Sequence, residues 1–326
     1  VRKFLIIRFS SIGDIVLTTP VIRCLKQQIP DAEVHVLTKP ALKQVLEHNP
    51  YIDHLHLLDK PLLVKAIELK SMGFECIIDL HNNLRTRIIK SILDITAYSF
   101  NKLNFEKSIL VKLKSNLLPL EHIVDRYMNT VAALGVLNDG KGLDYFLPNE
   151  ITFPSNVKLP SSYTAFAIGA QHFTKRLPNA KIIDICKQST NTIVLLGGKE
   201  DAANGALIAS QSGPHVLNLC GKLSLAQSAL AVKQASVVIT HDTGLMHIAA
   251  AFKKPIVSVW GNTVPEFGMT PYYGTTYIRN AKFEIRNLSC RPCSKIGFNN
   301  CPKKHFNCMQ LQNSTAIAQE AIQSIA

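Results

Sequence analysis

Lys3-Phe4-Leu5-Ile6-Ile7-Arg8, followed by Phe9-Ser10-Ser11-Ile12-Gly13-Asp14 and an amphipathic run over residues 15–28, decides how the chain is read. A short apolar run between charges has the length of a strand buried on both faces, and the small polar residues after it turn the chain into a helix. The same order recurs through the first half, with strands expected at 33–37, 54–58, 75–80 and 96–100 and helices at 41–48, 62–72 and 84–93. Such alternation is the sequence form of a parallel sheet covered by helices. A last helix over 122–134 carries Ile123, Tyr127, Val131 and Leu134 and ends at Gly135, a residue suited to the C′ position.

Residues 138–162 shift to Asn, Gly, Pro and Ser with only short apolar runs, the composition of a linker. Beyond them the alternation restarts, with strands expected at 164–168, 192–196, 216–219, 236–240 and 255–260 and helices at 179–187, 200–210, 225–234 and 245–251. Two α/β domains, 1–150 and 151–326, fit the 326-residue length. Two such halves imply a cleft, and ligands of parallel sheets bind beyond the carboxyl ends of the strands. The final helix, 314–325, is a candidate to cross back to the first domain.

Apolar residues at 47% and charged residues at 18% exclude a disordered chain. No run approaches the roughly 18 apolar residues of a membrane span, and Val1-Arg2-Lys3 leads straight into a strand without a signal-peptide pattern, so the expected address is the cytosol. The net charge of +13 favours acidic partners and is unevenly placed. Residues 1–150 hold 19 basic and 16 acidic side chains, residues 151–326 hold 17 and 7, and 279–304 carry seven basic residues against Glu284. Cys24, Cys76, Cys186 and Cys220 fall in apolar elements or at their edges, as buried thiols do, whereas Cys290, Cys293, Cys301 and Cys308 crowd together.

Three loops carry the candidate chemistry. In Ser10–Asp14, Gly13 lets a ligand approach the backbone and Asp14 is placed either to act as a general base on a hydroxyl or to cap its helix. Thr240-His241-Asp242-Thr243-Gly244-Leu245-Met246-His247 opens a helix after an apolar strand; its Thr243 and Gly244 amides suit a phosphate, and His247 lies one turn in. The competing reading makes Asp242 an N-cap and His247 a packed histidine. In Gly169–Pro178, Lys175 or Arg176 is either a phosphate-neutralising cation or a solvated charge. Neither G-x-G-x-x-G after the strand nor G-x-x-x-x-G-K-[ST] occurs, which argues against a dehydrogenase and a P-loop NTPase.

Leu5–Asp14, Lys175-Arg176-Leu177-Pro178, Gly221-Lys222-Leu223-Ser224-Leu225 and Asp242–His247 with Pro255 and Gly261-Asn262-Thr263 together resemble glycosyltransferase family 9, the lipopolysaccharide heptosyltransferases, in the family's order over nearly the whole chain. The resemblance implies a GT-B fold of two Rossmann-like α/β domains whose parallel sheets face a central cleft. It implies an inverting, metal-independent transfer of a heptose from an ADP-sugar to the inner core of lipopolysaccharide. Asp14 would deprotonate the acceptor hydroxyl, Lys175 would contact the donor phosphates, and Asp242, Thr243, Gly244 and His247 would hold donor sugar and diphosphate. In-line attack with an ADP leaving group needs only positioning and electrostatic stabilisation, with no cofactor.

Two positions depart from the family pattern: Leu177 stands where many members carry Trp, and Ala226 where many carry an acidic residue that contacts the ribose; Gln227 is the nearest polar substitute. On the acceptor side the candidates are Ser11, Gly13, Asn82 and Arg85, the last within His81-Asn82-Asn83-Leu84-Arg85-Thr86-Arg87, whose arginines suit an acidic lipid-linked saccharide of the lipid A–Kdo type. Residues 102–120 align Phe105, Ile109, Leu113 and Leu117 beside Lys102, Lys107, Lys112 and Lys114, a stripe that either lies peripherally on the anionic inner face of the cytoplasmic membrane or packs on its own domain. Cys290, Cys293, Cys301 and Cys308, spaced C-x2-C-x7-C-x6-C near His305, form either a structural Zn²⁺ set, or reduced thiols, or a disulfide on oxidation. Other readings are a GT-B sugar-nucleotide epimerase and a nucleic-acid binder; nucleic acid is not the expected partner, because Trp260 is the only tryptophan and aromatics do not interleave with the basic run.

Overall fold

The computed structural model describes residues 1–325 and resolves into two compact units. The first unit, built from 1–102, 121–146 and 274–276, contains β1 (Arg2–Ile7), α1 (Ile12–Val16), α2 (Thr19–Gln28), β2 (Ala32–Thr38), β3 (His54–Leu57), α3 (Leu62–Lys70), β4 (Cys76–Asp79), α4 (Leu84–Leu93) and β5 (Ala97–Ser99). Residues 103–120, with α5 (Asn104–Leu113), group with the second unit, so the division differs from a single cut near 150. The chain returns to the first unit for α6 (Ile123–Met128). The second unit continues with β6 (Thr164–Ala167), α7 (Asn179–Lys187), β7 (Ile193–Leu196), α8 (Ala202–Ser212), β8 (Val216–Asn218), α9 (Leu225–Gln234), β9 (Val237–His241), α10 (Gly244–Ala251), β10 (Ile256–Trp260), β11 (Asn280–Glu284), α11 (Asn307–Gln310) and α12 (Ser314–Gln323).

Both sheets are wholly parallel, with strand orders β3-β2-β1-β4-β5 and β11-β10-β9-β6-β7-β8. Phe4, Leu5, Ile6 and Ile7 are fully buried, as are Val194, Leu195 and Leu196, because helices cover both faces and leave no solvated side on which polar residues would alternate. In the first sheet the strand order reverses between β1 and β4, and in the second between β6 and β9. A reversal sends the two following loops apart and opens a crevice at the carboxyl ends, so residues after β1, β4, β6 and β9 are the ones positioned for ligands.

The expected helix at 15–28 is two helices, since Pro20 lacks the N–H that would bond one turn back. Thr18 and Thr19 hydroxyls instead donate to the carbonyls of Ile15 and Val16. The expected helix at 122–134 likewise ends at Met128, and a 3-10 turn over Ala132–Leu134 reaches Gly135 at φ 77°. Beyond the expected linker start, Asp139 and Asp144 bind Arg23 of α2 and so belong to the first unit. The polar strand β11 had no apolar run to announce it. α12 packs on α7, β9 and β10 within the second unit instead of crossing back.

Candidate active site

At the first switch point the chain leaves β1 through Arg8, whose guanidinium pairs with Asp14 Oδ1 at 2.6 Å and donates to the Ser10 carbonyl at 2.8 Å and to the Leu80 carbonyl after β4. The second oxygen of Asp14 accepts from the Ser11 N–H and Oγ, both at 2.8 Å, closing a capping box on α1. Burial pushes the Asp14 carboxyl up, but Arg8 and the two Ser11 bonds outweigh it and hold it below the usual aspartate range. Asp14 is therefore both the helix-capping residue and an ionised carboxylate at the carboxyl end of β1, and the two sequence readings are compatible.

Around it, Asp79 at the end of β4 is fully buried, pairs with Lys90 at 2.9 Å and accepts from the His81 and Asn82 amides. Burial, then Arg8 and Lys102, lower the His81 imidazole to about 4, so it is neutral at pH 7. Asn82 donates through Nδ2 to the Phe100 carbonyl, whereas Arg85 is exposed with its guanidinium 5.7 Å from the Phe9 ring centroid. Ser11 is exposed and Gly13 buried. Sequence reading overlooked Arg8 as a site residue, although a charge closing an apolar strand at its carboxyl end was the available signal.

At the second switch point Lys175, in the loop after β6, meets Asp242, directly after β9. Lys175 Nζ is 2.7 Å from Asp242 Oδ2 and 3.3 Å from its carbonyl oxygen, and Thr263 Oγ1 donates to the same Oδ2 at 2.9 Å. An ammonium has three N–H groups, so this pairing leaves one for a ligand. α10 begins at Gly244 with no side chain capping it from Thr243, and the first amides of a helix have no partner within it, the arrangement that suits an anion. His247 is buried one turn in. Asn262 is fully buried, and neither its amide oxygen nor its nitrogen has a partner among the described residues, an unusual state for a polar core group.

Neighbouring charges turn out to be structural. Arg176 pairs with Asp201 at 3.0 Å and donates twice to the Ala170 carbonyl, so it closes the 169–178 loop. Buried His241 accepts the Leu177 N–H at 3.0 Å through Nε2, and burial, then Arg176, lower it to about 3, which keeps that lone pair available. Arg291 donates to the Gly261 and Thr263 carbonyls at 2.6 and 2.9 Å while pairing with Glu284 at 2.7 Å. Gly261 is needed there, because a Cβ would stand 2.7 Å from the Thr174 carbonyl oxygen. Gln227 is held locally: its oxygen accepts from Ser224 N–H and its nitrogen donates to the Thr152 carbonyl.

The cysteines divide as expected in part. Cys24, Cys76, Cys186 and Cys220 are buried thiols, and burial pushes Cys186 and Cys220 up to about 12. Cys290 Sγ lies 3.8 Å from His305 Nε2, and the Cys308 thiol, raised to about 12 mainly by burial, is raised further by Cys293, Cys301 and Cys290. Cys293 is likewise raised by burial first and then by Cys290 and Cys301, so the four sulfurs stand near one another, all as free thiols.

Two α/β units, each built on a wholly parallel sheet whose strand order reverses, are the architecture of the GT-B class. The family model of glycosyltransferase family 9 (heptosyltransferase) matches residues 65–300, and the chain belongs to that family of glycosyltransferase enzymes. Lipopolysaccharide heptosyltransferase 1 of Campylobacter coli is 24% identical over 317 residues, spanning 85% of this chain and 87% of that protein. A family 9 glycosyltransferase from Veillonella parvula superposes with a TM-score of 0.77 at 20% identity, covering 99% of this chain and 97% of its own. The E. coli ADP-heptose LPS heptosyltransferase II superposes with a TM-score of 0.70 at 18% identity, covering 99% and 98%.

Proposed function

We propose that this glycosyltransferase moves a heptose from ADP-heptose to the inner core of lipopolysaccharide, with inversion and without a catalytic metal. The observation that carries the reading is the Lys175–Asp242–Thr263 constellation beside the uncapped start of α10. Lys175 and the Gly244 amide neutralise the diphosphate as it leaves, the task a divalent cation performs in other enzymes. Asp242, Thr243 and His247 bind the donor, and Asn262 supplies two further hydrogen-bonding atoms. Asp14 accepts the proton of the acceptor hydroxyl, while Ser11, Gly13, Asn82 and Arg85 position an acidic lipid A–Kdo acceptor, Asn82 through an acceptor oxygen since its N–H and Nδ2 are engaged.

Calorimetric titration with ADP, UDP and GDP is expected to favour ADP, and Lys175→Ala is expected to weaken it by at least about tenfold, the worth of one charge-assisted hydrogen bond. Transfer to a lipid A–Kdo acceptor is expected to survive chelator. Absence of nucleotide binding, or dependence on added Mg²⁺, overturns the corresponding part of the proposal.

The acceptor is lipid-linked, so the enzyme works at the inner face of the cytoplasmic membrane, on its cytoplasmic side. No helix among the described residues is long and apolar enough to cross a membrane. α5 instead buries Leu110 against Val264 and Phe267 and leaves Phe105 and Leu113 each 72% exposed beside Lys112. Lys114, assigned to this surface from the sequence, donates to the Cys290 and Pro292 carbonyls. The double variant Phe105→Ser/Leu113→Ser is expected to reduce co-sedimentation with anionic vesicles at least about tenfold, as two inserted side chains are worth roughly 3 kcal/mol. Unchanged co-sedimentation removes α5 from the membrane contact.

A further inference from the structure

Four titratable side chains that the transfer reaction does not use stand together on β2 and β3, at the edge of the first sheet. Residues two apart on a strand share a face, so Glu33 accompanies His35 and His54 accompanies His56, and the parallel register sets His35 opposite His54. Glu33 Oε1 lies 2.8 Å from His35 Nε2 and 3.2 Å from His54 Nε2. The three ligand atoms lie within 4.8 Å of one another. Donors bound at about 2.1 Å to one ion and 90–109° apart are separated by roughly 3.0–3.4 Å, so only small side-chain adjustments bring all three onto a common cation.

The surroundings resemble those of a built ligand set. His35 is buried, its ring edge-on to Phe74 with centroids 4.8 Å apart. Its Nδ1 is 2.8 Å from His56 Nε2. With Nε2 on a cation, the His35 Nδ1–H donates to His56, the outer hydrogen bond that fixes a ligating imidazole's tautomer and ring plane. The His54 side chain is 55% exposed, which leaves room for water to complete the shell. Lys3, opposite Glu33 in the register, is the opposing charge nearby, and its ammonium reaches the Met72 carbonyl at 3.4 Å.

We propose that Glu33, His35 and His54 bind a divalent borderline cation, Zn²⁺ foremost, and so clip the edge strand β3 to β2. Two imidazole nitrogens and one carboxylate oxygen suit zinc, whereas magnesium and calcium require oxygen donors throughout. The site lies toward the amino ends of the strands, since Glu33 pairs with Lys3 near the start of β1, whereas Asp14 follows the end of that strand. Its role is structural and separate from sugar transfer.

The test is calorimetric titration of the chelator-treated full chain with Zn²⁺, on the parent, His54→Ala, Glu33→Gln and Cys293→Ser. One equivalent that is lost, or weakened at least tenfold, in His54→Ala and Glu33→Gln but kept in Cys293→Ser supports the site. The exposed His54 and the shape-conserving Glu33→Gln leave folding intact, which circular dichroism checks. Melting of the parent is expected to move up with Zn²⁺, and that of His54→Ala to stay in place. Binding unchanged by both variants, lost only in Cys293→Ser, or absent from the parent overturns the proposal.

Discussion

Replacing Asp14 with asparagine is expected to lower sugar transfer by about 10²–10⁴-fold, the span that a positioned general base supplies, while ADP affinity stays within about twofold of the parent. The donor residues Lys175 and Asp242 belong to the other unit and share no partner with Asp14. Asparagine keeps an oxygen for the Ser11 N–H and Oγ, so the cap on α1 survives in the variant, and what is lost is the charge opposite Arg8 and the capacity to take a proton. Single-turnover transfer beside ADP calorimetry separates chemistry from binding. Transfer within about threefold of the parent would show that Asp14 acts only as a cap and that another group accepts the proton.

The pH profile gives a second reading of the same residue. Because the folded carboxyl is held below its ordinary value of about 3.9, it stays ionised until the pH falls through that lowered value. No acid limb from Asp14 is therefore expected in the transfer rate between about pH 5 and 8. In Arg8→Gln the largest opposing charge disappears and burial, the larger influence, raises the carboxyl. An acid limb is then expected to enter the accessible range.

How much of this was readable in the sequence depended on whether the interaction was local. β1, β6, β7 and β9 could be read because burial on both faces demands unbroken apolar runs, whereas the strand order that places the switch points is set by pairing in the fold. β11, with Asn280, Lys282 and Glu284 among its five residues, carries no such signature and forms because β10 offers it an edge. Pairing across the chain was hidden altogether. Lys175 and Asp242, Arg176 and Asp201, and Arg291 and the Gly261 carbonyl each meet only after folding. Gln227 illustrates the opposite case: Ser224 and Gln227 spell a capping box, so its local role was in the sequence although its bond to Thr152 was not.

Arg23→Met is expected to destabilise the protein by about 3–5 kcal/mol, the cost of removing one member of a buried ionic cluster. Arg23 is 2% exposed on α2; it binds Asp139 through two nitrogens at 2.8 Å each, donates to the Gly142 carbonyl at 2.9 Å and pairs with Asp144. Methionine fills the space of the stem but leaves two carboxylates facing each other. Chemical denaturation followed by circular dichroism measures the loss, and hydrogen exchange is expected to locate it first in α2 and 139–144. The loss carries a pH signature of definite sign. Burial raises the Asp139 carboxyl, but its bonds to Arg23 and the Lys141 amide prevail and bring it to about 2. A depressed carboxyl contributes stability that is complete above its unfolded value near 3.9 and is lost as pH falls through the folded value, so the gap between parent and variant is expected to be full at pH 6 and to close between about pH 4 and 2. A gap that persisted at pH 2 would assign the stability to the packing of the Arg23 stem and not to its charge.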